Sequence, residues 1–296
     1  MASLKEIKGR IASVGSTLKI TSAMKMVASA KLRKAQNAIG NMLPYQEGLQ
    51  GILRDLMEGA DPSGFAFPGP AERPEGEERP AGGVALVCFA SNSSLCGAFN
   101  ANAIREALSV IREHEARGEK VTVYSVGRKM AEAMRKAGYP SPGDFTRLSA
   151  HPEYAPAAAL GQELTDGFMS GRFTRVELIY NHFKSTASQP TVRETYLPMS
   201  PACPVPETGS GRETDYIVEP DRRTQIGLLL PKVLLLKIYT VLLDTAAAEH
   251  AARTVAMQTA TDNGNELLRQ LTLEYNKGRQ AKITAEILDL EGGTLE

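Results

Sequence analysis

The chain opens and closes on helical patterns and carries strand patterns between them. Apolar or small residues recur at Ile7, Ile11, Val14, Leu18 and Thr21, then at Ala28, Leu32, Ala35, Ile39 and Met42. The steps alternate between four and three, which is the seam of a coiled coil. The seam slips at Lys25, where a charge takes the register position and Met24 and Met26 are the apolar neighbours. Pro44 removes a backbone donor and predicts a kink, after which Leu49, Leu53 and Leu56 resume the spacing. A second 4-3 series runs through Leu234, Ile238, Val241, Thr245, Ala248, Ala252, Val255 and Thr259, in a helix that starts after Glu219-Pro220-Asp221 and is expected to stop at Gly292-Gly293. Pro231 is expected to kink it early. At a rise of 1.5 Å per residue the two helices would reach roughly 80 and 105 Å, too long for one globular domain to enclose.

Between them, GVALVCFA, KVTVYSV, RVELIYNHF and TVRETYLP read as strands, and Asn100 to Arg117, Arg128 to Ala137 and residues 156–171 read as helices. Alternation of this kind indicates an α/β unit with a largely parallel sheet. Two turn-rich stretches separate the regions. The predicted organisation is an N-terminal coiled-coil helix (1–58), a Pro/Gly/Glu-rich linker (59–83), a Rossmann-like α/β domain (84–198), a second linker (199–218) and a C-terminal coiled-coil helix (219–296). The fold class is therefore α/β, with the terminal helices forming a long antiparallel coiled coil that flanks the α/β domain.

Composition narrows the chemistry. The 34 basic and 34 acidic residues cancel, which argues against binding nucleic acid or membrane through bulk charge. The cancellation is uneven, because residues 1–43 hold eight bases and one acid. Such a helix suits an acidic partner. Aromatics do not interleave with the bases, which disfavours single-stranded nucleic acid. The most apolar run, VLLLKIYTVLL, has eleven residues and contains Lys237, short of the ~20 that cross a bilayer. The three cysteines, Cys88, Cys96 and Cys203, form no CxxC and suit a reducing compartment. The loop from Ser91 to Phe99 lies between a strand and a helix, where phosphates can bind, but has neither GxGxxG nor GxxxxGK[ST]. The histidines, His114, His151, His182 and His250, show no catalytic or metal spacing. No catalytic residue, cofactor or metal is expected on this chain.

Specific segments carry a resemblance. KEIKGRIASVGSTLKITSAMKMVASAKLRKAQ (5–36) resembles the N-terminal helix, and ARTVAMQTATDNGNELLRQLTLEYNKGRQAKITAEILDLEGG (252–293) the C-terminal helix, of the γ subunit of F-type ATP synthases. SLCGAFN (94–100) and YNHFKSTASQP (180–190) are similar to further segments of that family, in the same order. The resemblance implies a non-catalytic central rotor shaft. Its partners would be the α and β subunits of the catalytic ring, the ε subunit and the c-ring. It would couple proton or sodium flow to ATP synthesis or hydrolysis at β, on the cytoplasmic side of a bacterial plasma membrane that it reaches only through the complex. It also implies partner contacts at Met24 and Lys25 with an acidic loop of β, a similarly placed Arg253, and contacts of Arg279, Gln280, Thr284 and Glu286 with β loops at the upper ring.

Two features depart from the family pattern. Its usual SDRGLCGG is Ser91-Asn92-Ser93-Ser94-Leu95-Cys96-Gly97-Ala98 here, which removes the charges a stator contact would use. The 59–83 linker is longer and richer in Pro and Glu than the family pattern, and it lacks the cysteine pair of the redox-regulated chloroplast form, so no thiol switch is expected. The alternatives from other classes are a free-standing α/β nucleotide-binding regulator, which would bind ATP, and a coiled-coil adaptor on nucleic acid, whose binding would fall steeply with salt.

Overall fold

The computed structural model describes residues 3–57, 82–199 and 217–293, with side chains as far as Leu288. It divides into two compact units, one comprising Met1–Ala30 and Arg253–Glu296, the other Lys31–Ala252. Helices α1 (Leu4–Met57) and α6 (Arg222–Gly293) contribute residues to both.

The larger unit is built on a four-stranded sheet of β1 (Gly83–Phe89), β2 (Val121–Val126), β3 (Phe173–Asn181) and β4 (Thr191–Leu197), in the order β2-β1-β3-β4. β1 is parallel to β2 and to β3, and β4 runs antiparallel to β3. All seven β1 residues are buried, because this central strand is covered on both faces. One face packs on α2 (Phe99–Ala116) and α3 (Arg128–Lys136), through Ala103, Ala107, Val110, Ile111, Met130 and Met134. The small alanines let α2 approach β1 closely.

The other face packs on α5 (Tyr154–Met169), on Leu148 of the short α4 (Thr146–Ala150), and on Leu234, Ile238, Val241 and Leu242 of α6. The first half of α6 is thus a layer of the α/β core. Polar ties fasten it there: Tyr196 donates to the Leu234 carbonyl (3.1 Å), Lys237 pairs with Glu194 (2.8 Å), and Asp244 accepts from the Phe183 amide (2.9 Å) and meets His182 Nδ1 at 2.7 Å. Burial pushes the Tyr196 phenol well above its ordinary range, so it stays a neutral donor. A different stripe of α6 meets α1: Ile226, Leu230 and Val233 pack with Leu53 and Leu56, and Ala247 and Ala251 with Leu32.

This arrangement accounts for the hydropathy of α6. By length and composition it is the one helix among the described residues that could cross a membrane, yet 56% of its most apolar window is buried inside the protein. Lys237, which reads as an interruption of an apolar run, is an ion-pair partner of the sheet.

The smaller unit is a pair of helical segments. Leu18 abuts Gly264, Leu4 abuts Gly278, and Thr21 Oγ1 lies 3.1 Å from Thr261 Oγ1. Each step back along α1 is matched by an equal step forward along α6, so the pair is antiparallel. Ile7, Ala28, Met257 and Leu271 are buried in it.

Helices α1 and α6 run through Pro44 and Pro231. Each proline follows a glycine by four residues, Gly40 and Gly227, both exposed with open space around them. A glycine backbone can tilt its freed carbonyl away from the proline ring and toward water. α6 is helical through Gly293, the last described residue, three residues beyond the expected end near Leu290. Met26 is 66% exposed and so is not a seam residue. The α6 series 234–259 is not one seam: Leu234 to Val241 meet the sheet, whereas Val255 and Thr259 are exposed. The stripe facing α1 in the smaller unit runs instead through Met257, Thr261, Gly264, Leu271 and Gly278. α4 has no counterpart in the sequence reading, and α5 starts at Tyr154 rather than 156.

Candidate functional site

The seven residues singled out as partner contacts all fall in the smaller unit. Met24 and Lys25 are half-buried on α1, and the antiparallel register sets Lys25 opposite Met257. Arg253 is half-buried about one turn back along α6. These three form one group. Arg279, Gln280, Thr284 and Glu286 form a second, about 40 Å of helix rise beyond Arg253. All four are exposed. Arg279 and Glu286, seven apart, share one helix face, and Gln280 and Thr284, four apart, share another. Thr284 donates back to the Gln280 carbonyl (3.0 Å), and Glu286 pairs with Lys282 at 3.5 Å. A cleft of about 740 Å³ lined by Leu4, Ile7, Glu274, Lys277, Gly278 and Ala281 adjoins this second group.

The basic residues Lys5, Lys8, Arg10, Lys19, Lys31, Arg33 and Lys34 are exposed. On α1 of the smaller unit, Ile20 (61%) and Val27 (57%) are also exposed, seven residues apart on one face. A basic helix with an open apolar stripe can dock on an acidic surface carrying apolar side chains. Among the described residues, no group of three or more His, Cys, Asp or Glu side chains could hold a metal ion.

The strand-to-helix loop that could hold a phosphate spends its polar groups on itself. Asn100 Oδ1 accepts from the Ser91 amide (3.0 Å), and Asn100 Nδ2 donates to Ser91 Oγ (2.9 Å) and to Cys96 Sγ (3.2 Å). Asn92 Oδ1 accepts from the Arg128 amide (2.7 Å), and its Nδ2 donates to the Thr146 carbonyl (2.8 Å). Gly127, at φ +98°, lets the chain pass where a Cβ would meet the Ala90 carbonyl oxygen at 2.0 Å. Where the strand order reverses, between β1 and β3, an α/β sheet usually opens a ligand crevice. Here Phe99 and Cys96 pack with Phe183 on Ala248 of α6. Cys88 and Cys96 are free and buried, and burial pushes the Cys88 thiol up to about 12, which keeps it inert. Cys203 lies outside the described residues.

One constellation escaped the sequence reading. Glu177 on β3 is 2% exposed and accepts two hydrogen bonds from Arg193 on β4, at 2.7 and 3.2 Å. Arg193 also donates to Glu113 (2.7 Å), and its Nη2 lies 3.2 Å from Nε2 of the fully buried His114, whose Nδ1 meets Glu119. Burial opposes ionisation of Glu177, but the Arg193 guanidinium and the His114 hydrogen bond outweigh it and hold the carboxyl below its ordinary range. The available signal was a glutamate at an inward position of the apolar strand RVELIYN.

Comparison with known proteins bears on what the paired helices serve. The family model described as ATP synthase matches residues 3–295. The ATP synthase gamma chain of Phocaeicola vulgatus is 53% identical over 296 residues, covering all of both chains. The chain belongs to the ATP synthase gamma chain family. The gamma chain of Bacteroides fragilis is 51% identical over 297 residues, again covering both chains in full. The fold has the same relatives: the rotor of the Euglena gracilis mitochondrial ATP synthase aligns over 95% of this chain and 98% of its own, with a TM-score of 0.60 at 19% identity. Long terminal helices flanking a small mixed sheet are thus the family's architecture, as the sequence indicates. A gamma-family chain is a subunit of the ATP synthase complex.

Proposed function

We propose that this chain is the central rotor shaft of a bacterial F-type ATP synthase, turned by a proton- or sodium-driven c-ring and biasing each catalytic β subunit in succession. The observation that carries the reading is end-to-end similarity to bacterial gamma chains at half or more of all positions. The geometry fits it. A shaft acts by presenting different faces to identical neighbours, each face stabilising a different conformation of the subunit it touches. The smaller unit offers such asymmetry: a basic, partly apolar α1 surface around Met24 and Lys25, and a separate α6 surface at Arg279, Gln280, Thr284 and Glu286. In this reading the first meets the acidic loop of β, and the second meets β at the upper ring. The α/β domain meets the ε subunit and the c-ring, and the chain is held peripherally on the cytoplasmic face of the plasma membrane.

The test is reconstitution. Purified α and β with this chain are expected to hydrolyse ATP well above α and β alone. No gain overturns the reading. The rival nucleotide-regulator reading predicts micromolar ATP binding by the isolated chain. The self-satisfied Ser91–Asn100 loop and the filled crevice beside it favour the rotor.

A further inference from the structure

Two glycines of α6 stand against leucines of α1. A Cβ added at Gly264 would lie 2.6 Å from Leu18 Cδ2 and 3.2 Å from its Cγ, and one added at Gly278 would lie 3.0 Å from Leu4 Cδ2. Fourteen residues separate the glycines and fourteen separate the leucines, so both contacts recur on one seam two heptads apart. Glycine inside a helix is less stable than alanine, so its presence at these two contact positions is compensated by close approach of the partner helix. The helical glycines Gly9 and Gly15 of α1, by contrast, have nothing within 4 Å of an added Cβ.

We propose that Leu18 seated on Gly264 and Leu4 seated on Gly278 form a register lock, which makes the paired helices turn as one body instead of sliding past each other. The proposal rests on the rotor reading for its purpose, though not for its geometry. An apolar heptad seam alone tolerates a slip of seven residues, because apolar positions still meet. The sockets do not tolerate it. Such a slip sets Leu18 against Leu271 or Met257, both large and both already buried in the seam. Hydroxyls fasten the same point. Thr261 Oγ1, 2.8 Å from the Met257 carbonyl, stands 3.1 Å from Thr21 Oγ1, and Thr21 donates to the carbonyl of Leu18 itself (3.1 Å).

The test reads register and coupling separately, in the complex of this chain with its α and β subunits and c-ring. Cysteines placed by Thr21→Cys and Thr261→Cys report register as a disulfide, mapped by mass spectrometry. Added Gly264→Val is expected to lower disulfide yield several-fold and to lower protons pumped per ATP hydrolysed. Further addition of Leu18→Ala, which empties the space opposite, is expected to restore both. Gly264→Ala is expected to act in the same direction more weakly, because the end of Leu18 can swing aside, and it decides the matter if the valine variant does not assemble. Alanine strengthens the helix, so a lost disulfide there cannot come from helix fraying. Gly15→Ala should change neither readout. Unchanged disulfide yield and coupling in both Gly264 variants, or failure of Leu18→Ala to rescue, overturns the lock. If the rotor reading is wrong, the unsubstituted chain gives no ATPase gain, while the disulfide still reports the sockets.

Discussion

The two halves of α6 belong to one helix but live under different constraints. From Ile226 to Ala251 it is buried on two sides, against the sheet through Leu234, Ile238 and Val241 and against α1 through Leu230 and Ala247. From Arg253 onward, in the smaller unit, it buries one narrow stripe and leaves Leu267, Leu273, Ile283 and Ile287 between 40% and 52% exposed. The first half is held by contacts within the chain, with Leu228, 54% exposed, as the exception. The second half carries apolar side chains that its own unit does not cover, which is the condition of a surface completed by other subunits.

Five substitutions sharpen that contrast. The largest effect is expected where a charge is buried. Arg193→Met leaves the Glu177 carboxylate with only the longer contacts to His114 at 3.4 Å and Arg175 at 3.6 Å and should cost about 3 kcal/mol in urea unfolding at pH 7. The sign with pH follows from the direction of the shift. Because folding lowers the Glu177 pKa, its contribution is complete above the ordinary glutamate value, about 4.3, and is lost as pH falls through the folded value. In the variant the buried charge is unfavourable, so acidification should narrow the gap to the unsubstituted protein. A gap that is constant from pH 7 to 4 would argue that Arg193 acts by packing alone.

Next, Ile238→Ala, at a fully buried position of the sheet core, should destabilise by about 2–4 kcal/mol, whereas Leu288→Ala, 60% exposed on the same helix, should stay within about 0.5 kcal/mol. Equal losses would erase the distinction between the two halves. The smallest stability effect is expected at Arg279→Ala and Gln280→Ala, both exposed. Melting temperature should be unchanged while ATP synthesis by the assembled complex falls. Unimpaired synthesis would remove these residues from the proposed contact with β.

The α1 seam could be read directly, and Ile7, Ala28, Leu32, Leu53 and Leu56 are buried as the 4-3 spacing indicates. On α6 the 4-3 spacing does not mark a single seam, because one apolar stripe meets the sheet and another meets α1. Periodicity reports that a stripe is apolar but not which neighbour it meets. In the same way, Gly264 and Gly278 look like two unremarkable helix-weakening residues until Leu18 and Leu4 are seen against them. The candidate contacts were legible only through family resemblance, since Met24, Lys25, Arg253, Arg279, Gln280, Thr284 and Glu286 have no distinctive chemistry of their own. Met24, Lys25 and Arg253 are half-buried, and Arg279, Gln280, Thr284 and Glu286 are exposed.

The sequence by itself determined the elements, the heptad spacing of α1, the segregation of positive charge into one helix, and membership in a family whose segments occur here in order. Those properties are local, or are carried by residue identity. Only the tertiary structure decided that α6 serves both as a layer of the α/β core and as the partner of α1. It alone brought His114, Glu177 and Arg193 together and made the loop after β1 satisfy itself. Each of these depends on contacts between residues far apart in the chain, and a repeat of 3.5 positions carries no information about what lies across from it.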